Sequence, residues 1–144
     1  MPFPKIGQAI VASAVVLGLL GGYSTAQTTN EPVSLEDTKW SAIGLNGGVL
    51  DMDKRPEIAF EAGGAFGGSG GCNRIKGQVE ISDGQIDFPD NIAATLMACP
   101  PEMEQVERQF LDALQNVTAY AVAGDNLVML DSAGEPVLKF VRMP

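Results

Sequence analysis

Gly63 to Gly77 read GGAFGGSGGCNRIKG, seven glycines in fifteen residues around a single cysteine, Cys72. Three readings compete: a loop cradling phosphate, which would make this a nucleotide-binding α/β protein; a flexible linker; or a piece of sheet whose backbone passes close to a neighbour. A P-loop places Gly-Lys before Ser or Thr after four spacer residues, whereas the order here is Lys76-Gly77-Gln78. A dinucleotide fingerprint opened at Gly68 meets Gly70 and then Asn73 where its third glycine belongs. The tract also runs into a strand-like stretch instead of a helix, and strand-like runs on both sides argue against a free linker. What remains is a glycine-rich hairpin and strand whose missing side chains allow bending or close backbone approach.

Working outward, short runs of period two are bounded by Gly, Pro or Asp-Gly. They are KWSAIGL, EIAFEA, GAFGG, GQVEI and QIDF before residue 89, then VTAYAVA, NLVMLD and PVLKFVR after residue 116. VEISDGQIDF marks the clearest hairpin, because Asp83-Gly84 suits the two positive φ angles of a type I′ turn. About eight short strands in roughly a hundred residues predict an antiparallel sheet or barrel-like layer.

PPEMEQVERQFLDALQN breaks the pattern. Met103, Val106, Phe110, Leu114 and Val117 recur at spacings of three and four, which predicts a helix over about residues 101–116 with one apolar stripe facing the sheet. Pro100 and Pro101 suit its start, and Glu102 and Glu104 sit where the positive end of the helix dipole favours acid. The expected class is α+β: a curled antiparallel sheet or split β-barrel with one covering helix.

At the N-terminus, Lys5 is followed by an apolar run from Ala9 to Leu20 and then by small residues around STAQ. This is the layout of a secretory signal peptide, residues 1–26, cut after Ala26. The alternative, a membrane anchor, suffers because the run is about a dozen residues against the roughly 20 needed to span a bilayer as a helix. No cysteine lies near the cut to carry a lipid. The expectation is therefore a periplasmic or secreted protein, with no membrane segment after cleavage, a polar lead over residues 27–38 and one domain over 39–144.

Beyond the leader, eight Lys and Arg face eighteen Asp and Glu, a net charge of about −10. Nucleic acid is excluded as a partner, since phosphate binding needs a basic patch. The acid is spread along the chain, which favours a solvated surface over an electrostatic docking site for a basic partner; a monomer is expected. The two cysteines, Cys72 and Cys99, form an even count, which in an oxidising compartment suggests one bridge. Two buried reduced thiols are the alternative.

Catalytic and metal chemistry finds little support. The chain has no histidine, which removes Ser-His and Cys-His nucleophile pairs and the usual imidazole base. Two cysteines without histidine cannot complete an ordinary structural zinc site. Asp51 and Asp53 have calcium-loop spacing, but Arg55 and Pro56 stand where a ligand and a turning glycine belong. Glu57 and Glu61, four apart, fall on one strand face, the solvated one, and so common a carboxylate pair carries little weight. No catalytic residue, cofactor ligand or metal ligand is assigned, and no enzyme activity or cofactor is expected.

One set of motifs carries a family resemblance. GGCNRIKGQVEI, IDFPDNIAATLMACPPEMEQVERQFLDALQNV and LVMLDSAGEPVLKF resemble the META domain of the HslJ family, small bacterial envelope or secreted proteins with relatives in trypanosomatid parasites. The similarity runs from about Trp40 to Met143. Gly71, Cys72, Asn73 and Gly77 match its first motif, and Thr95, Met97, Ala98 and Cys99 its second. Leu96 departs from the arginine common there, and Gln78-Val79 from a small residue and an aromatic. The resemblance implies a small antiparallel sheet or split barrel with a helix, in a group associated with heat or envelope stress and without an established catalytic set. Its similarity to secretin-pilot folds suggests, by analogy, a binding role. The expectation is an exported non-enzymatic binding or scaffold protein with a peptide, lipid or protein partner in the envelope or outside it. The alternative is an inhibitor of an extracellular hydrolase, a lysozyme or protease.

Overall fold

The computed structural model describes residues 33–144 together with Gly21 and Gly22. The remainder of the expected leader, its cleavage site and most of the polar lead lie outside the described residues. Leu35, inside the expected lead, is buried in the core, so the packed chain begins ahead of Trp40.

The strands, in chain order, are β1 (Thr38–Leu45), β2 (Gly48–Val49), β3 (Glu57–Phe60), β4 (Ala65–Ser69), β5 (Arg74–Gln78), β6 (Glu80–Ser82), β7 (Gln85–Asp87) and β8 (Ala93–Ala94). The helix α1 (Pro101–Asn116) follows, then β9 (Val117–Ala123), β10 (Asn126–Asp131) and β11 (Pro136–Arg142). All pair antiparallel in one sheet of order β6-β7-β9-β10-β11-β1-β3-β4-β5-β8, with β2 hooked onto β1. The sheet curls into a half-barrel, as the short punctuated runs predict. Its two arms leave from one segment: β5 and β6 are separated by Val79 alone, whose N–H donates to Gly64 O at 2.8 Å. The run GQVEI, expected as one strand, is thus bent at Val79 into the end of β5 and the start of β6.

Turn chemistry acts as expected. Asp83 and Gly84 have φ of 49° and 79° between the paired Ser82 and Gln85, the two positive angles of a type I′ turn. Asn46 and Gly47, at 49° and 81°, make the same turn between β1 and β2.

The helix covers the apolar face of the sheet. Its N-terminal turn has Pro at the first helical position, where no N–H is needed, and Pro100 O accepts from the N–H groups of Met103 and Glu104. Phe110 and Leu114 are fully buried, and Phe110 meets Phe140 of β11 edge-on with ring centroids 6.3 Å apart. With Trp40, Ile58, Leu127, Met129 and Leu138 they form one continuous core. Of the expected stripe, Phe110, Leu114 and Val117 are buried in the core, Val117 as the first residue of β9, and Val106 packs against it, while Met103 is half-buried. The position that turns inward beside Phe110 is Glu107.

Candidate functional site

The first family motif forms the β4–β5 turn. Gly71 there has φ of 114°, a conformation L side chains rarely adopt. Asn73 follows, with only 9% of its surface exposed. Its backbone N–H donates to Glu107 Oε1 at 3.1 Å and its Nδ2 to Glu107 Oε2 at 2.9 Å. Its Oδ1 accepts from Thr95 Oγ1 at 3.1 Å and from the backbone N–H of Met97 at 2.7 Å. One asparagine therefore joins the hairpin, the helix and the segment that leads into the helix. A buried carboxylate is costly unless hydrogen bonds satisfy it, and Asn73 supplies two of them from a single residue.

Thr95 extends this fastening. Its backbone N–H donates to Arg74 O at 3.0 Å, and its Oγ1 accepts from the N–H of Arg74 at 3.1 Å. A disulfide joins Cys72 to Cys99 with Cα atoms 6.2 Å apart, which resolves the alternatives left open by the sequence. Closing a loop of this length stabilises the fold by about 3.5 kcal/mol on the chain-entropy account.

Two glycines explain themselves by what lies against them. A Cβ on Gly70 would sit 2.5 Å from Glu107 Cγ, and one on Gly77 would sit 2.9 Å from the Phe66 ring. That ring packs edge-on against Phe88 at 5.2 Å. The close-approach reading of the tract therefore holds, and the surfaces it admits are the protein's own helix and aromatic core.

What this fastening presents is apolar. Ala93 and Ala94 form β8, which among the described residues pairs with β5 alone, and the chain then runs through Thr95, Leu96, Met97 and Ala98 on the surface. Leu96 is 97% exposed and Met97 55%. On one side of the segment lies an open groove of about 650 Å³ bordered by Glu57, Ser69, Arg74, Lys76 and Ala93. On the other, a groove of about 560 Å³ runs between Met97, Ala98, Glu104, Arg108 and Leu111.

The matched motif residues thus divide. Gly71, Cys72, Asn73, Thr95 and Cys99 come together as a brace, Gly77 stands apart under Phe66, and Met97 and Ala98 turn their side chains outward. Glu107 is the member that sequence reasoning passed over. The repeat Met103, Glu107, Phe110, Leu114 at four, three and four sets it on the apolar line, but the partner that makes a buried carboxylate tolerable there, Asn73, cannot be read from the helix. Asp51 and Asp53 are exposed in a charged turn, and Glu57 and Glu61 are exposed too.

A family model described as the META domain matches residues 33–144. Comparison with curated proteins finds no match. Among solved structures, an NMR structure of a protein from Burkholderia xenovorans is 19% identical, covers 98% of this chain and 99% of its own, and superposes with a TM-score of 0.62. A crystal structure of a DUF4847 family protein from Bacteroides vulgatus is 17% identical, covering 74% of this chain and 93% of its own, with a TM-score of 0.56. At these identities the two structures support the fold. The family itself rests on the match spanning the whole described domain: the chain belongs to the META domain family.

Proposed function

We infer that this is an exported, non-enzymatic META-domain protein that binds an extended peptide segment of an envelope or secreted protein along residues 93–98. The observation that carries this reading is the exposure of Leu96 and Met97 on a segment fastened from beneath by Asn73, Thr95 and the Cys72–Cys99 bridge. Large apolar side chains displayed together beside grooves mark interaction surfaces, and a pre-ordered segment avoids the entropy loss that binding otherwise incurs. Among the described residues β8 has one strand neighbour, so its outer edge offers backbone groups to an added strand, the mode by which many domains take extended peptides. The disulfide fits an oxidising compartment. Among the described residues no helix is long and apolar enough to cross a membrane.

The test is selection from a displayed random-peptide library on the immobilised protein, with the Leu96→Asp/Met97→Asp double variant as counter-target. The reading predicts enriched peptides that bind the parent chain and lose at least tenfold in affinity for the variant. Peptides that bind both equally, or no enrichment, would contradict it.

The net charge of −9 favours one second reading, electrostatic docking onto a cationic extracellular hydrolase and its inhibition. Lysozyme and secreted-protease assays with added protein decide this, and undiminished turnover removes it.

A further inference from the structure

The Cys72–Cys99 disulfide has a third neighbour. Both sulfurs and a carboxylate oxygen of Glu107 lie within 4.8 Å of one another. Glu107 is 6% exposed, while the two cysteines are half-buried and within reach of a reductant. We propose that when the disulfide is reduced, Cys72, Cys99 and Glu107 bind a single Zn²⁺ ion, with water as the fourth ligand.

The distances suit the ion. Zinc takes thiolate sulfur at about 2.3 Å and carboxylate oxygen at about 2.0–2.2 Å in tetrahedral geometry, so ligand atoms in such a site are separated by roughly 3.3–3.8 Å. Opening the disulfide frees the sulfurs to move apart toward that separation, and the Glu107 carboxylate stands near enough to reach the same ion. The backbone spacing is set by the folded β4–β5 turn and the helix entrance, with Cys72 and Cys99 Cα atoms 6.2 Å apart.

The surroundings of Glu107 resemble those of a metal ligand. Asn73 grips both carboxylate oxygens through its N–H and its Nδ2. Such outer hydrogen bonds orient a ligating carboxylate and are a regular part of metal sites. Each oxygen keeps a further lone pair, and the Glu107 side chain already lies against the turn, in the space that a side chain at Gly70 would fill. Two thiolates select a soft or borderline cation over calcium or magnesium, which want several oxygens.

The chemistry balances with a dithiol as reductant. Its thiolate attacks one sulfur of the disulfide, the mixed disulfide is resolved by its second thiol, and it leaves oxidised as a disulfide. Cys72 and Cys99 gain two electrons and two protons. Zinc then displaces both thiol protons, because the thiolate is the ligand. The ion would tie the helix entrance to the β4–β5 turn in place of the lost covalent bond.

The full chain, reduced with a phosphine and desalted without oxygen, is titrated with Co²⁺ as the visible probe. The expected result is thiolate-to-cobalt charge-transfer absorption with tetrahedral d–d bands, displaced by equimolar Zn²⁺, and no such spectrum from the oxidised chain. Glu107→Gln should weaken binding by roughly 10-fold or more. Because that variant disturbs a buried group, thermal melts supply a second measurement. Zn²⁺ should raise the melting temperature of the reduced parent chain but not that of the oxidised chain or of the Cys72→Ala/Cys99→Ala variant. A reduced chain without the charge-transfer band, an equal zinc response from the oxidised chain, or unchanged affinity in a folded Glu107→Gln variant overturns the proposal.

Discussion

Asn73 occupies both carboxylate oxygens of Glu107, its backbone N–H reaching Oε1 at 3.1 Å and its side-chain amide reaching Oε2 at 2.9 Å. The two residues stand 34 positions apart, on the β4–β5 turn and the helix, and both are buried. Replacing Asn73 by Ala removes one donor to a buried charge and both bonds to the Thr95–Met97 segment. The expected cost is about 3 kcal/mol, and Asn73→Asp, which sets a second carboxylate against the first, should cost more. Trp40 is the one tryptophan in the chain and is fully buried, so denaturant unfolding followed by its fluorescence measures both. A loss below about 1 kcal/mol for Asn73→Ala would show that the brace is not a main support.

Much of the fold could be read from residue periodicity, because alternation and turn chemistry are local properties. Asp83-Gly84 specified its hairpin, and the span of α1 followed from its proline start and apolar repeat. Two things were hidden. β8 is Ala-Ala, with no side-chain signature, and exists through its pairing with Ile75 and Lys76 of β5. Glu107 sits on the apolar line of the helix, where a charged residue is ordinarily assigned to solvent. Its burial depends on a partner 34 residues away, which no local pattern encodes. The motif residues themselves stood out through family resemblance, and the structure supplies their physical reason.

The glycine tract offers a contrast between two positive-φ positions. Gly68 has φ of 154°, and an added Cβ would collide with the backbone oxygen of Glu57 on the paired strand, whereas Gly63 at 78° faces open space. Gly63→Ala should cost about 1 kcal/mol from backbone strain alone, and Gly68→Ala at least twice that, since β3 must move. Comparing the two denaturation midpoints checks this, and equal losses would contradict the close approach.

Arg142 holds its guanidinium 4.4 Å from the centroid of the Trp40 ring and lies 3.6 Å from Asp125, whose side chain is 86% exposed. The stacking on a buried indole should outweigh the exposed ion pair. Arg142→Ala is expected to cost about 1 kcal/mol or more, and Asp125→Ala a few tenths. The order of the two losses is the readout.

Tyr120 provides the pH dependence. Burial, with a smaller contribution from the nearby Asp83 charge, raises its phenol above the ordinary tyrosine value of 10.0. The folded chain then holds the proton more tightly than the unfolded one. Stability is accordingly full below pH about 10 and falls as pH rises from there through the folded value. Alkaline denaturation of the parent and Tyr120→Phe chains should show a steeper decline in the parent. Identical pH profiles would contradict a shifted phenol.

Residues 93–98 are the proposed docking segment, presented by the brace beneath them. Amide chemical-shift mapping of the isotope-labelled chain, with a peptide enriched on the parent protein, tests this most directly. Perturbations are expected at residues 93–98, at Arg74–Lys76 of β5 and on the Arg108–Leu111 side of the helix. Perturbations confined instead to the cleft around Ser34, Phe60 and Tyr120, with residues 93–98 unmoved, would contradict it.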